Sequence, residues 1–142
     1  MIVKQLSVFL ENKQGRLCAA TDVLAKAGIN ISALSLADTA EFGILRLIVD
    51  RPDEARRVLI EEGIVVRVSN VIAVAMDDAP GGAMDILHCF AQAGINVEYL
   101  YACIGKTGKA LMIVRVDDDE YAERVLHDGG FHDVHPSEIY RI

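Results

Sequence analysis

One tetrapeptide occurs twice in this chain of 142 residues, as Ala27-Gly28-Ile29-Asn30 and as Ala93-Gly94-Ile95-Asn96. The same offset also aligns Val8 with Val74, Gly15 with Gly81, Ala25 with Ala91 and Leu34 with Leu100. Matches that recur at one fixed offset indicate that the chain contains two copies of one structural unit. Because a solenoid usually needs three or more copies, two copies indicate a tandem pair of small domains. The predicted domains are residues 1–69 and 70–142.

The composition is that of an ordinary folded protein, with 52% apolar and 25% charged residues. The formal charge of −7 and the lack of a basic stripe argue against a nucleic-acid partner, because such partners require cations that neutralise phosphates. The longest wholly apolar run, residues 71–76, is far too short to span a membrane, and the first residues do not follow the order of a signal peptide. We therefore expect a cytoplasmic protein with no membrane partner.

Three cysteines, Cys18, Cys89 and Cys103, form an odd set without a CxxC spacing. Such a set implies neither a disulfide framework nor a zinc ribbon. We expect all three to be small core residues.

The first copy predicts the element order βαββαβ. Apolar residues alternate up to Glu11-Asn12, as in a half-buried strand, and then recur at helical spacing from Leu17 to Ala27. Gly28 occupies the position where helices commonly end in the left-handed conformation. Pro52 suits the first turn of a second helix, since its missing N–H would lack a partner there anyway. The other predicted elements are strands 29–36, 44–49 and 64–68, and a polar hairpin turn 38–43.

The second copy repeats this order, with strands 71–76, 95–103 and 111–116 and helices 80–93 and 119–126. Only Ser69-Asn70 separates the predicted last strand of copy one from the first strand of copy two. For the final strand we favour residues 138–142, because the stretch around His132 and His135 is polar. The predicted fold class is α+β, two tandem ferredoxin-like βαββαβ units whose antiparallel sheets carry their helices on one face.

Each copy places a glycine turn between its first strand and first helix, followed by an asparagine after the helix. The N–H groups of a helix's first turn have no backbone partner, so they form a ready site for a carboxylate or phosphate. The asparagine side chain offers one acceptor and two donors, and carboxylates stand beside both turns. An amino acid, which carries an ammonium and a carboxylate, is therefore a suitable ligand.

This arrangement, a strand, a glycine turn, a helix and then Gly-Ile-Asn opening the next strand, resembles the ACT domains of amino-acid metabolism over essentially the whole chain. The turn Ala79-Pro80-Gly81 is similar to the family's Pro-Gly signature, whereas Lys13-Gln14-Gly15 keeps only the glycine. The resemblance implies a non-catalytic regulatory protein that binds an amino acid where two ACT units meet, with no cofactor or metal. It also implies a metabolic enzyme as the regulated partner, and the apolar faces of the units favour a homodimer.

Carried over from the family, the resemblance implies two sets of ligand-binding residues. The first set is Asn12, Lys13, Gln14, Gly15, Arg16, Leu17 and Asn30, and the second is Asp78, Ala79, Pro80, Gly81, Gly82, Ala83 and Asn96. A structural interpretation also accounts for several of them, since Gly28 and Gly94 serve as helix caps and the asparagines could bond nearby backbone.

Two other classes of function stay open at this point. The same fold hosts small acylphosphatase-like hydrolases, which need an arginine in the first glycine loop, and Arg16 is the candidate. The chain could also be an assembly module that binds no ligand and joins subunits through its sheet edges or faces.

Three weaker patterns remain. Val97, Tyr99, Tyr101 and Cys103 should share one strand face, where they either pack between units or form an aromatic wall for a ligand. Residues 105–109 contain the letters of a phosphate-binding loop but fall at a predicted hairpin tip. A metal site is a further hypothesis, although its spacing fits no standard finger. Its candidate residues are His127, His132 and His135, with Cys89 or His88.

Overall fold

The computed structural model describes residues 1–38, 41–104 and 109–139. The chain forms two compact units. Lys4–Ser69 make up the first, called here the N-terminal unit. Met1–Val3 join the chain from Asn70 onward in the second, called the C-terminal unit.

The N-terminal unit has the predicted order βαββαβ. Its elements are β1 (Ile2–Glu11) from Lys4 onward, α1 (Arg16–Lys26), β2 (Ile31–Asp38), β3 (Phe42–Val49), α2 (Pro52–Glu61) and the first part of β4 (Val65–Asp77). The strands lie in the order β2-β3-β1-β4, and β3 pairs antiparallel with both β1 and β2. This is the ferredoxin-like arrangement, so the predicted fold class is confirmed.

The core of the N-terminal unit lies between its sheet and both helices. Leu6 and Val8 alternate with outward residues along β1, so their side chains face the helices and are fully buried. Leu24 of α1 and Leu59 of α2 pack into the same cluster. Both helices therefore cover one face of the sheet, as the apolar spacing predicts.

The C-terminal unit repeats this plan with the second part of β4. Its further elements are α3 (Gly82–Gln92), β5 (Val97–Ile104), β6 (Lys109–Val116), α4 (Asp119–Asp128) and a short α5 (Pro136–Ile139). Phe90 of α3 and Leu126 of α4 pack on Val74 and Met112 from the sheet. The register of β5 and β6 runs to Ile104 opposite Ala110, while the predicted hairpin tip, 105–108, lies outside the described residues.

The predicted break at Ser69-Asn70 is wrong. The two expected strands are one strand, β4, of 13 residues. Neither residue is a glycine or proline, and the branched residues on both sides favour an extended backbone, so two polar residues do not interrupt the strand. One strand therefore runs through this position, and the expectation that no real linker separates the copies agrees with it.

The predicted final strand is also wrong where the structure describes it. Residues 136–139 form a helix, since a proline is well placed to begin one, and residues 140–142 lie outside the described residues. The place beside β4 is taken by Met1, whose carbonyl accepts the N–H of Ala73 at 2.8 Å. The Met1 ammonium lies 2.6 Å from Asp133 and 3.0 Å from Glu123. Asp133 also forms an isolated bridge with Val74.

Two smaller predictions have different outcomes. Gly28 and Gly94 have φ of 68° and 69°, which confirms that they are left-handed residues after the helices. The expectation that all cysteines are core residues is wrong for Cys18, which is exposed because α1 turns Ala20 and Leu24 towards the sheet instead.

In the described part of the chain, no helix is long and apolar enough to cross a membrane.

Candidate functional site

The first turn of the N-terminal unit, residues 12–15, presents the beginning of α1 to solvent. Gly15 has φ of 84°, a left-handed value that a glycine adopts without steric cost. The Arg16 N–H donates to the Lys13 carbonyl at 3.3 Å. Within the described residues the amides of Leu17 and Cys18 donate no hydrogen bond. Two N–H groups at the positive end of the helix are therefore open to an anionic group.

Charged side chains surround this turn. The Glu11 carboxylate lies 3.1 Å from Lys13 Nζ and 3.5 Å from Arg16 Nη2. The hydrogen bond from Lys13, together with the positive charges of Lys13 and Arg16, lowers the pKa of Glu11. All three side chains are exposed, so a ligand carboxylate can compete with Glu11 for the two cations.

Replacing Lys13 by alanine is expected to raise the pKa of Glu11 towards its usual value of 4.5, because the largest cause of the lowering is removed. Since the folded-state pKa is lowered, this pair stabilises the fold above the unfolded pKa, and that contribution is lost as the pH falls through the folded pKa. Carboxyl carbon NMR titration of wild type and Lys13→Ala measures the change. A Glu11 pKa that stays the same in the variant would contradict the contact.

A small cavity of about 70 Å³ opens at the first turn. Its lining includes three residues of the predicted site, namely Asn12, Lys13 and Leu17, and five others, namely Leu10, Glu11, Leu36, Asp38 and Gly43. The cavity thus combines the cation of Lys13 with two carboxylates. Leu36, Asp38 and Gly43 are absent from the predicted site because they come from the β2–β3 hairpin, and only the strand pairing brings the hairpin to the turn.

Asn30 does not lie beside the first turn of its own unit. It comes after the end of α1, whereas the turn precedes the start, and 11 helical residues span roughly 16 Å. Its backbone N–H donates to Asp50 Oδ1 at 3.1 Å and its carbonyl accepts the Asp50 N–H at 3.2 Å. The exposed side chain makes no hydrogen bond to the described residues. The backbone of Asn30 is therefore structural, while its amide group is available.

The second turn, between β4 and α3, has the same backbone shape but tighter packing. Gly81 has φ of 95°, and the N–H of Met84 donates to its carbonyl at 2.9 Å. The helix begins at Gly82, two residues after the predicted start at Pro80, because Pro80 belongs to the turn. A Cβ atom at Gly82 would lie 2.1 Å from the Asp77 carbonyl oxygen, so only glycine fits.

The charges around the second turn differ from those at the first. Position 82 is a glycine where the first copy has Arg16, and Asp78 and Asp85 stand near the start of α3. Lys109 forms an ion pair with Asp77. The second turn therefore carries an excess of carboxylates, which disfavours the carboxylate of a ligand.

The remaining candidates are dispersed. Asn96 is exposed at the far end of α3. Val97 does not share a face with Tyr99, Tyr101 and Cys103, since the register shifts between Val97 and Tyr99 and turns Val97 towards the core.

In the described ranges, no group of three or more His, Cys, Asp or Glu side chains is placed to hold a metal ion. His127 Nε2 lies 3.4 Å from Asp133.

These features define a class of protein, a tandem pair of ferredoxin-like units with a glycine turn at the head of each first helix. The family whose description is "ACT domain pair" matches residues 1–140. The chain belongs to the ACT domain family.

Comparisons with known proteins agree with this assignment. The crystal structure of protein BT0572 from Bacteroides thetaiotaomicron superposes with a TM-score of 0.93 at 36% sequence identity, covering 100% of this chain and 98% of that one. The ligand-free regulatory subunit of aspartate kinase from Thermus thermophilus has a TM-score of 0.64 at 15% identity, covering 91% and 97%. The regulatory subunit of aspartate kinase from Thermus flavus has a TM-score of 0.62 at 14% sequence identity, and the match covers 92% of this chain and 95% of that one. No curated protein sequence matches the chain.

Proposed function

We propose that the protein is a non-catalytic regulatory protein that binds an amino acid at the first glycine turn, in a site completed by a second copy of the chain. The observation that carries this proposal is the cavity at the first turn, which is lined by groups of both charges beside open helix amides. Lys13 and the amides suit a carboxylate, and Glu11 or Asp38 suits an ammonium. A free amino acid carries both groups.

The size of the cavity supports a shared site. About 70 Å³ is well below the roughly 300–1,000 Å³ typical of a small-molecule pocket. One unit therefore holds only the charged head of a ligand, and another protein surface must cover the rest.

The edge of the N-terminal unit offers such a surface. β2 is an edge strand, and Leu34 and Leu36 on its helix side are 58% and 49% exposed. Exposed apolar side chains on a strand edge favour pairing with another strand. In a two-fold antiparallel pairing of β2 with its copy, the last residue of one strand lies beside the first residue of the other. The partner's Asn30, which directly precedes β2, would then reach the first turn.

Under this proposal the second turn contributes little to ligand binding. Asp78 and Asp85 repel a carboxylate, and a glycine at position 82 replaces the cation of Arg16. The C-terminal unit would then act chiefly in assembly. The hydrolase alternative is weaker, because Arg16 already contacts the Glu11 carboxylate and is partly neutralised before any phosphoryl group binds.

The regulated partner is proposed to be a metabolic enzyme. The family resemblance and the shared fold of the aspartate kinase regulatory subunits support this class of partner. The ligand would stabilise one arrangement of the two copies and so change the surface that the enzyme meets.

A thermal-shift screen against the free amino acids tests the ligand. A ligand that binds only the folded state stabilises it by about 2.7 kcal/mol at a hundredfold excess over its dissociation constant. We expect one chemical class of amino acid to raise the midpoint and Asn30→Ala to abolish the shift. Asn96→Ala, the equivalent change in the second copy, should leave it intact. A screen in which no amino acid raises the midpoint leaves the assembly module as the function.

Mixing two inactive variants tests whether the site is shared. Arg16→Ala removes a group of the turn and Asn30→Ala the group expected from the partner, so a mixed dimer contains one intact site. Calorimetric titration of the mixture should recover up to one binding site in mixed dimers. If the mixture binds no better than the separate variants, Asn30 acts within its own chain. If Asn30→Ala alone binds as the wild type does, Asn30 takes no part in the site.

A further inference from the structure

The two helices of the N-terminal unit leave an open groove on the side away from the sheet. The cavity between α1 and α2 has a volume of about 450 Å³, larger than the one at the first turn. Its floor consists of Ala19 and Val23 from α1, Ala27 directly after α1, and Val58 from α2. It lies outside the ligand site proposed above.

The groove is open because its floor side chains are small. Ala19, Val23 and Ala27 lie four residues apart and so form one row along α1. Short side chains in such a row allow another backbone to approach closely. Val23 and Val58 are only half-buried, so apolar surface remains for a partner to cover.

The equivalent position in the C-terminal unit is packed differently. Glu62 at the groove rim corresponds to Gly129, where an added Cβ would lie 2.8 Å from the Cys89 sulfur. A side chain like that of Glu62 therefore does not fit between α3 and α4 without a shift. The two copies of the repeat have diverged at this place.

The rim of the groove is acidic. Its charged side chains are Asp22, Glu61 and Glu62 with the single cation Lys26. Lys26 lies 2.6 Å from Asp22, and Glu61 lies 2.7 Å from Arg57 just outside the groove. The Glu62 carboxylate makes no hydrogen bond or ion pair with the described residues, whereas its backbone N–H donates to the Val58 carbonyl at 3.3 Å. The hydrogen bond to Asp22 raises the pKa of Lys26, and the charges of Asp22 and Glu62 add to this effect.

We propose that the groove between α1 and α2 docks a basic amphipathic helix of a partner protein, with apolar residues on the Ala19-Val23-Ala27 row and lysine or arginine beside Glu61 and Glu62. Two helices with an apolar floor between them are a common receptor for a third helix. The sign of the rim selects cations on that helix. Charge complementarity therefore identifies the kind of partner.

This inference rests on the proposed function in one respect only, the link to the ligand. α1 begins at the first turn and its outer side forms one wall of the groove, so a ligand at the turn and a partner in the groove contact the same helix. The groove is thus a route by which ligand binding changes partner binding.

A synthetic helical peptide of leucine and lysine, about four turns long with one apolar face, is the probe. Fluorescence anisotropy should show that it binds the wild-type protein and binds more weakly at high salt, because salt screens the rim. A scrambled peptide of the same composition and a glutamate version should not bind. Two variants should each weaken peptide binding about tenfold or more. One is the double substitution Glu61→Lys with Glu62→Lys, and the other is Ala19→Phe, which fills the floor of the groove.

Asp128→Lys is the matched control, since it changes charge at the position equivalent to Glu61 in the other unit and should leave binding unchanged. Circular dichroism verifies that each variant is folded. Equal binding of the scrambled peptide, or equal weakening by Asp128→Lys, would show that only net charge is sensed and would overturn the proposal. A changed sedimentation coefficient of Ala19→Phe would also overturn the proposal, because it would show that a second copy of the chain occupies the groove. Asn30→Ala should bind the peptide as the wild type does, so a failure of the ligand hypothesis can be distinguished from a failure of the groove proposal.

Discussion

Truncation of Leu24 to alanine should lower the free energy of unfolding by about 2–5 kcal/mol, and truncation of Phe90 by about 3–5 kcal/mol. The two residues occupy equivalent positions of the repeat, and each is almost fully buried in the core cluster of its own unit. Removing such a side chain loses its burial and leaves a cavity that the neighbours fill only in part. Urea denaturation measures the loss for each variant.

Hydrogen exchange shows where each substitution acts. We expect Leu24→Ala to reduce protection first in α1 and α2, and Phe90→Ala to reduce it first in α3 and α4. Ile60→Ala, which truncates an exposed isoleucine on α2 outside the proposed β2 pairing, is the control and should cost far less. A Leu24→Ala protein as stable as wild type would mean that the helix does not pack on the sheet as described.

Replacing Gly82 by alanine is the second change with a large expected effect. The new Cβ would stand 2.1 Å from the backbone oxygen of Asp77, and a backbone atom cannot move aside as a flexible side chain can. Overpacking of this kind costs about 1–3 kcal/mol. The thermal midpoint of the variant measures the loss.

The repeat supplies the control for this substitution. Arg16 occupies the equivalent position at the first turn and already has a Cβ, so Arg16→Ala should change the midpoint little. The comparison separates a steric effect at this turn from a general requirement of the fold. Equal stability of Gly82→Ala and wild type would show that the two turns are equally open, and the second turn would again be a candidate ligand site.

The architecture could be predicted from the sequence because local pattern and repeat agree. Alternation along β1 and helical spacing along α1 each follow from a single face being buried, and the second copy supplies an independent test of both. Where a strand boundary depends on long-range pairing, the prediction fails. Ser69 and Asn70 lack apolar side chains, yet the pairing of neighbouring strands keeps the backbone extended through them.

The candidate site was predictable in part for the same reason. The glycine turn has a local signal, since Gly15 is needed for its left-handed backbone. Leu36 and Asp38 have no such signal, because they reach the turn only through the register of β2 with β3. The separation of Asn30 from the turn follows from the length of the predicted helix, whereas the hydrogen bonds between the Asn30 backbone and Asp50 required the structure.

The pairing of Met1–Val3 with the C-terminal unit has a consequence for how the chain acquires its structure. Contacts between Met1 and Asp133 join groups 132 positions apart, so this contact cannot form until the chain as far as residue 133 is present. Contacts of such separation form late, because closing a long loop costs chain entropy before any contact repays it. A chain cut between residues 69 and 70, where the repeat places its boundary, would leave the C-terminal unit without the segment that pairs with Ala73. The sequence therefore contains two separate copies of the repeat, but in the structure the C-terminal copy depends on the first residues of the N-terminal copy.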